Sequence, residues 1–191
     1  VAVIDVAGYV SEVKNHAVDH GLHVHDERHF IETYSLRQVW EIDVHPEAAC
    51  GGPLDLHLAL EVDPRVLLGF EDFIALNTTE DTIELPSDSE VFAFNLVFQW
   101  SLPPLVLSPD LLVVALDLSS IGGLEFPLEI SAADSIAGVG EAAQRNLTVT
   151  GRIIVPLRRL WEGEQLPCTV FEKCIEVSNY LLDRAPTWLD N

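Results

Sequence analysis

The chain has 191 residues, 48% of them hydrophobic and 21% charged, with 31 acidic side chains against 10 basic ones and a formal net charge of −21. A chain of this length buries about 70% of its unfolded surface, and so large an apolar fraction excludes a disordered acidic tail. The charge disfavours nucleic acid and anionic membrane surfaces, since phosphate binding depends on Lys and Arg displacing counterions.

One domain spanning residues 1–191 is expected. No run reaches the ~18 apolar residues of a membrane span. The apolar opening, residues 1–10, is interrupted by Asp5 and lacks the basic region of a signal peptide. The three cysteines, Cys50, Cys168 and Cys174, are odd in number, and the last two lie six apart on one expected helix, where they point to different sides. A cytoplasmic protein with free thiols is the expectation.

Over residues 5–20, Val6, Tyr9, Val10, Val13, Ala17 and Val18 recur at intervals of three and four before Gly21, the pattern of an amphipathic helix. Residues 30–44 change to period two, with Tyr34, Leu36, Trp40, Ile42 and Val44 on one parity, and predict a single strand. Residues 54–62 alternate more strictly, with Leu54, Leu56, Leu58, Leu60 and Val62 opposed to Asp55, His57, Ala59, Glu61 and Asp63. These two strands are expected to pair antiparallel, each with one solvated face, around a loop containing Gly51, Gly52 and Pro53.

Asp63-Pro64 reads as the cap and first turn of a short helix over residues 66–74. An acidic surface loop follows over residues 77–90. Residues 91–100 are apolar on both parities and predict a central strand covered on both faces. Its aromatic stripe, Phe92, Phe94, Phe98 and Trp100, reads as core packing, with a cavity for an apolar ligand as the alternative. Residues 111–118 are expected to be another apolar strand, 124–130 a short edge strand holding Pro127, and 147–157 a further alternating strand. Gly138, Gly140 and Ala143 match the spacing of a dinucleotide loop, but no helix follows to receive a pyrophosphate, so a turn is expected. Thr169 to Glu172 has the form of a capping box opening a final helix that Pro186 ends.

The fold class is therefore α+β, a largely antiparallel sheet of about six strands with N- and C-terminal helices packed on one face. Strands 111–118 and 124–130 would leave apolar edges, which makes a homo-oligomer an expectation.

Five of seven histidines lie in one stretch: His16, His20, His23, His25 and His29. His16 and His20 are one helical turn apart and share a face, as two imidazoles converging on zinc do. His23 and His25 project to one side if their segment is extended. No glutamate follows His16 as in a metalloprotease helix. A second cluster arises if Asp43 lies opposite His57, which sets His45 opposite Asp55 and makes a divalent metal such as zinc a possible cofactor. Cys50, beside Gly51 and Gly52, offers an exposed nucleophile near His45 or His57, but the surrounding charge is negative, the wrong sign to activate a thiol. No Gly-x-Ser-x-Gly elbow or other catalytic signature is present.

Abundant charge without a nucleophile, acid and base set favours a noncatalytic binding protein. Its acidic loop, with Glu80, Asp81, Glu84, Asp88 and Glu90, would engage a basic protein partner as an adaptor, chaperone-like or neutralising factor. A metal-dependent hydrolase using the His and carboxylate clusters, and an apolar small-ligand carrier, are the alternatives.

Overall fold

The computed structural model describes residues 4–79, 83–87, 90–136, 138 and 143–189. The chain opens with α1 (Val6–Asp19), capped by Asp5, whose carboxylate accepts from the Gly8 N–H at 2.8 Å. Gly21, at φ +84°, turns the chain directly into β1 (Leu22–Ile31). β2 (Gln38–Pro46) and β3 (Asp55–Val62) follow, then α2 (Pro64–Asn77), β4 (Ala93–Ser101), α3 (Leu111–Gly122), β5 (Leu128–Ser135), β6 (Gln144–Pro156), α4 (Leu157–Glu162) and α5 (Cys168–Leu189). The strands form a six-stranded sheet in the order β1-β2-β3-β4-β6-β5, antiparallel throughout.

Strict alternation builds the core. Leu54, Leu56, Leu58, Leu60 and Val62 are all buried, as are Phe94, Leu96, Phe98 and Trp100 on β4. This face lies beneath Tyr9, Val10, Val13 and Ala17 of α1 and Phe171, Cys174, Val177 and Leu181 of α5. The aromatic stripe is filled core: the Phe98 ring meets Phe126 at 5.2 Å and Phe171 at 6.4 Å. The void between Tyr9, Val13, Leu58 and Leu96 measures about 10 Å³, scarcely room for one water. Ser178, the buried polar side chain here, accepts from Trp100 Nε1 at 2.9 Å and donates to the Cys174 carbonyl at 2.8 Å, so its burial is compensated.

Several expectations are corrected. The single strand over residues 30–44 is instead a hairpin. Glu32 N–H donates to the Arg37 carbonyl, Leu36 takes a positive φ of 58°, and β1 runs back through the histidine-rich segment. β1 is a sheet edge, so it needs only Leu22 fully buried and carries no apolar alternation to reveal it. Residues 111–118 are helix, not strand. The Asp110 carboxylate accepts from the N–H groups of Leu112 and Val113, and Val114, Leu118 and Gly122 are buried at a spacing of four. Lys173 donates to the Gly122 carbonyl at 2.6 Å and Tyr180 to Asp117 at 2.9 Å, tying α3 to α5. A short apolar run reads equally well in either period, so the cap and the docking surface decide. This removes one of the two apolar strand edges on which an oligomer was expected; β5 is the edge strand, beginning after Pro127.

β4 is central but covered on one face only, since Ala93, Asn95 and Val97 are half-buried and Gln99 is exposed. α5 already begins at Cys168, so Thr169 lies inside its first turn rather than capping it. Pro186 lies inside the helix, near enough to its end that the last turn continues to Leu189. Trp188 is buried and Trp161 packs on Phe70 at 6.3 Å, both closing the core rather than standing out from it. Gly140 of the expected turn lies outside the described residues.

Two outcomes check this architecture. Asp110→Ala removes the α3 cap and is expected to lower the unfolding free energy by about 1 kcal/mol in urea titrations, whereas Asp110→Asn, which keeps the acceptor, leaves it nearly unchanged. Asp63 caps α2, and the hydrogen bond from the Arg65 side chain, with that from its backbone N–H, holds its carboxyl down at about 2. A depressed carboxyl contributes stability above its unfolded value near 4 and loses it as the pH falls from about 4 towards 2. Asp63→Asn should therefore show a smaller loss of stability over that interval than the wild type, measured by urea denaturation at each pH.

Candidate functional site

The chemistry-bearing side chains gather in three places, and the fold explains each. The first is where the last turn of α1 meets the first turn of α5. His16 and His20 lie on one face, as their spacing predicts, and their Nε2 atoms are 3.2 Å apart. Cys168, 152 residues later, brings its Sγ to 3.3 Å from His16 Nε2. The three ligand atoms all lie within 4.8 Å of one another. A tetrahedral zinc site with bonds of about 2.05 Å to nitrogen and 2.3 Å to sulfur has N···N edges of about 3.3 Å and N···S edges of about 3.6 Å. The two separations at His16 Nε2, 3.2 Å and 3.3 Å, are close to those edges. Phe171, fully buried, forms the apolar floor, its ring 5.1 Å from that of His16 and 5.8 Å from that of His20.

Without a metal these contacts are hydrogen bonds between imidazoles and thiol. His16 Nδ1 is buried and has no hydrogen-bond partner among the described residues. A zinc-bound histidine usually donates from its second nitrogen to a carbonyl or carboxylate, and that support is missing here.

The second place lies on the solvated face of the sheet. His23 of β1 and His45 of β2 are cross-strand partners. The 3-10 turn Glu47–Ala49 folds the chain back so that Cys50 Sγ lies 3.4 Å from His23 Nδ1 and 3.7 Å from His45 Nδ1. The pairing of β1 with β2 slips between Val24 and Asp26, making His25 an extra residue in β1, and the His25 ring stands 4.2 Å from that of His45. His23 and His25 thus do reach a common side.

The third place is the expected hairpin cluster. Asp43 lies opposite His57 in the register, and His57 Nδ1 contacts its carboxylate at 2.5 Å. Arg28 also reaches Asp43, at 2.7 Å, and Glu41, at 3.3 Å, so the carboxylates on this face already have a cation. Asp55 is exposed and, with His25, Asp43, His45 and His57, borders a groove of about 220 Å³. Asp43 is engaged by two donors, which leaves it less available to a metal than the imidazole and thiol groups. His29 stands apart, stacked on Trp40 at 3.8 Å.

The sequence does not point to the two thiols at these clusters. Nothing in the local sequence connects Cys168 with His16. Cys50 was close to His45 in sequence, but only the turn that reverses the chain shows its thiol facing the imidazoles. Of the acidic loop, Glu84 is exposed, Glu90 opens the 3-10 turn Glu90–Phe92, and Glu80, Asp81 and Asp88 lie outside the described residues. A wider groove of about 700 Å³ is bordered by Tyr9, Leu160, Val170, Arg152 and Glu164. It contains no histidine or cysteine, and its rim mixes both charge signs.

All three cysteines are free thiols, Cys50 and Cys168 exposed and Cys174 buried, where burial pushes its thiol well up. In native protein a disulfide reagent is expected to titrate two thiols rapidly and the third only after denaturation. Rapid reaction of all three would contradict the burial of Cys174. Comparison of the chain with protein-family models, curated proteins and solved structures returned no match.

Proposed function

We propose that the protein binds a divalent transition metal, zinc fitting best, through His16 Nε2, His20 Nε2 and Cys168 Sγ. The observation that carries this reading is the convergence of two imidazole nitrogens and a thiol sulfur where the end of α1 meets the start of α5, His16 Nε2 lying 3.2 Å from His20 Nε2 and 3.3 Å from Cys168 Sγ, with all three groups within 4.8 Å of one another. Imidazole and thiolate together select zinc, copper or nickel over magnesium or calcium, which prefer oxygen. Three protein ligands leave a fourth position for water or an incoming group, as in zinc centres that activate water. The net charge of −21 supports the same reading, because a negative protein field raises the local concentration of cations.

Metal held here would bridge α1 to α5, so binding and folding are coupled. Zinc at about a hundred times its dissociation constant adds about 2.7 kcal/mol of stability. Protein purified without an affinity tag is expected to retain metal by elemental analysis, and Cys168→Ser or His20→Ala to retain one equivalent less. Zinc should raise the melting temperature of the wild type more than that of Cys168→Ser. Equal metal content and equal melting shifts in wild type and both variants would overturn the assignment.

A further inference from the structure

We infer that His23, His45 and Cys50 form a second transition-metal site, on the solvated face of the sheet. The Cys50 Sγ separations of 3.4 Å and 3.7 Å from the two Nδ1 atoms bracket the N···S edge of about 3.6 Å in a tetrahedral site. The three ligand atoms lie within 4.8 Å of one another. His23 and His45 are held by their strand pairing, and Cys50 by the turn in which its own N–H donates to the Glu47 carbonyl at 3.1 Å. Two of the three ligands are therefore set by a paired sheet edge and the third by a hydrogen-bonded turn.

His45 Nδ1 also lies 3.0 Å from the Pro46 carbonyl, to which it donates when protonated. Coordination through that nitrogen displaces the proton and exchanges this hydrogen bond for a metal bond; the Cys50 thiol gives up its proton in the same step. The His25 ring at 4.2 Å from His45 supplies an additional imidazole beside the triad. His45 also borders the groove lined by Asp43, Asp55 and His57, while His23 and Cys50 are exposed.

This site is independent of the one between α1 and α5. Ile42 and Val44 turn into the core while His45 takes the opposite parity, whereas His16 and His20 pack on buried Phe171 in the helical layer. The two triads share no residue, so they are two mononuclear sites in this proposal.

The test is titration of the full, untagged, metal-stripped chain with cobalt(II), followed by its thiolate-to-cobalt charge-transfer absorption and by cobalt retained after desalting. The wild type is expected to bind two equivalents. Cys50→Ser, on an exposed turn, and His23→Gln, at an exposed strand position, should each lose one equivalent, and Cys50→Ser the matching share of absorption. Cys168→Ser should lose the other. If Cys50→Ser and His23→Gln bind as much cobalt as the wild type, the sheet-face site is overturned, and a single equivalent abolished by Cys168→Ser would then leave the helical-layer site standing alone. A single equivalent abolished by Cys50→Ser and kept by Cys168→Ser would support the sheet-face site and overturn the other.

Discussion

One face of the sheet is sealed beneath α1 and α5, and side chains along a strand alternate between faces, so every polar residue of β2, β3 and β4 that interleaves with the core must point to water. Leu56, Leu58 and Leu60 go in; Asp55, His57 and Glu61 go out. A slip of one residue would exchange these sets and bury two carboxylates and an imidazole, which no pairing on the helical side would compensate. The register between β2 and β3 is therefore strongly determined, and with it the placement of Asp43 against His57 and of His45 at the end of the same face.

The two imidazole and thiol clusters depend on this constraint in different ways. In the helical layer, α1 and α5 must both lie on the buried face, and packing on it brings residues 152 positions apart into contact above Phe171. The ends of two helices set His16, His20 and Cys168 there, above buried Phe171 and with Cys168 exposed. On the opposite face, an edge strand with an extra residue and a short turn gather His23, His25, His45 and Cys50 in the open. Edge strands tolerate polar, irregular sequence because only one side must pair, and the extra residue brings Asp26 and Arg28 opposite Asp43 and Glu41 on the solvated face, where strict alternation from His23 would have turned them inward.

The surface charge acts on both faces without being localised at either. An excess of carboxylates draws cations towards the molecule at low ionic strength, and salt weakens that attraction over about 10 Å. At the proposed sites, coordination by nitrogen and sulfur would then discriminate among the cations attracted. Arg28, spread across Asp26, Glu41 and Asp43, offsets part of the carboxylate charge in the middle of the solvated face.

Much of the architecture was legible in the residues themselves. Period-three and period-four spacing revealed α1, Asp63-Pro64 the start of α2, and strict alternation β3 and β6, because burial of one side imposes a pattern wherever an element is long and half-covered. The β2–β3 pairing followed from the same logic. Besides the short helix α4 and the 3-10 turns, β1 and α3 were illegible for one reason: their pattern is not set by local burial. β1 lies at an edge and buries only Leu22 fully, while α3 is so apolar that helix and strand periods fit it equally, and only the Asp110 cap and its docking on α5 resolve it. The shared face of His16 and His20 was likewise visible one helical turn at a time. Sequence alone thus determined which imidazoles lie near one another along a single element. Only the tertiary structure decided which thiol completes each pair, because contacts between elements are set by how helices pack on a sheet and how a turn reverses the chain, and neither leaves a mark in the spacing of the residues it joins.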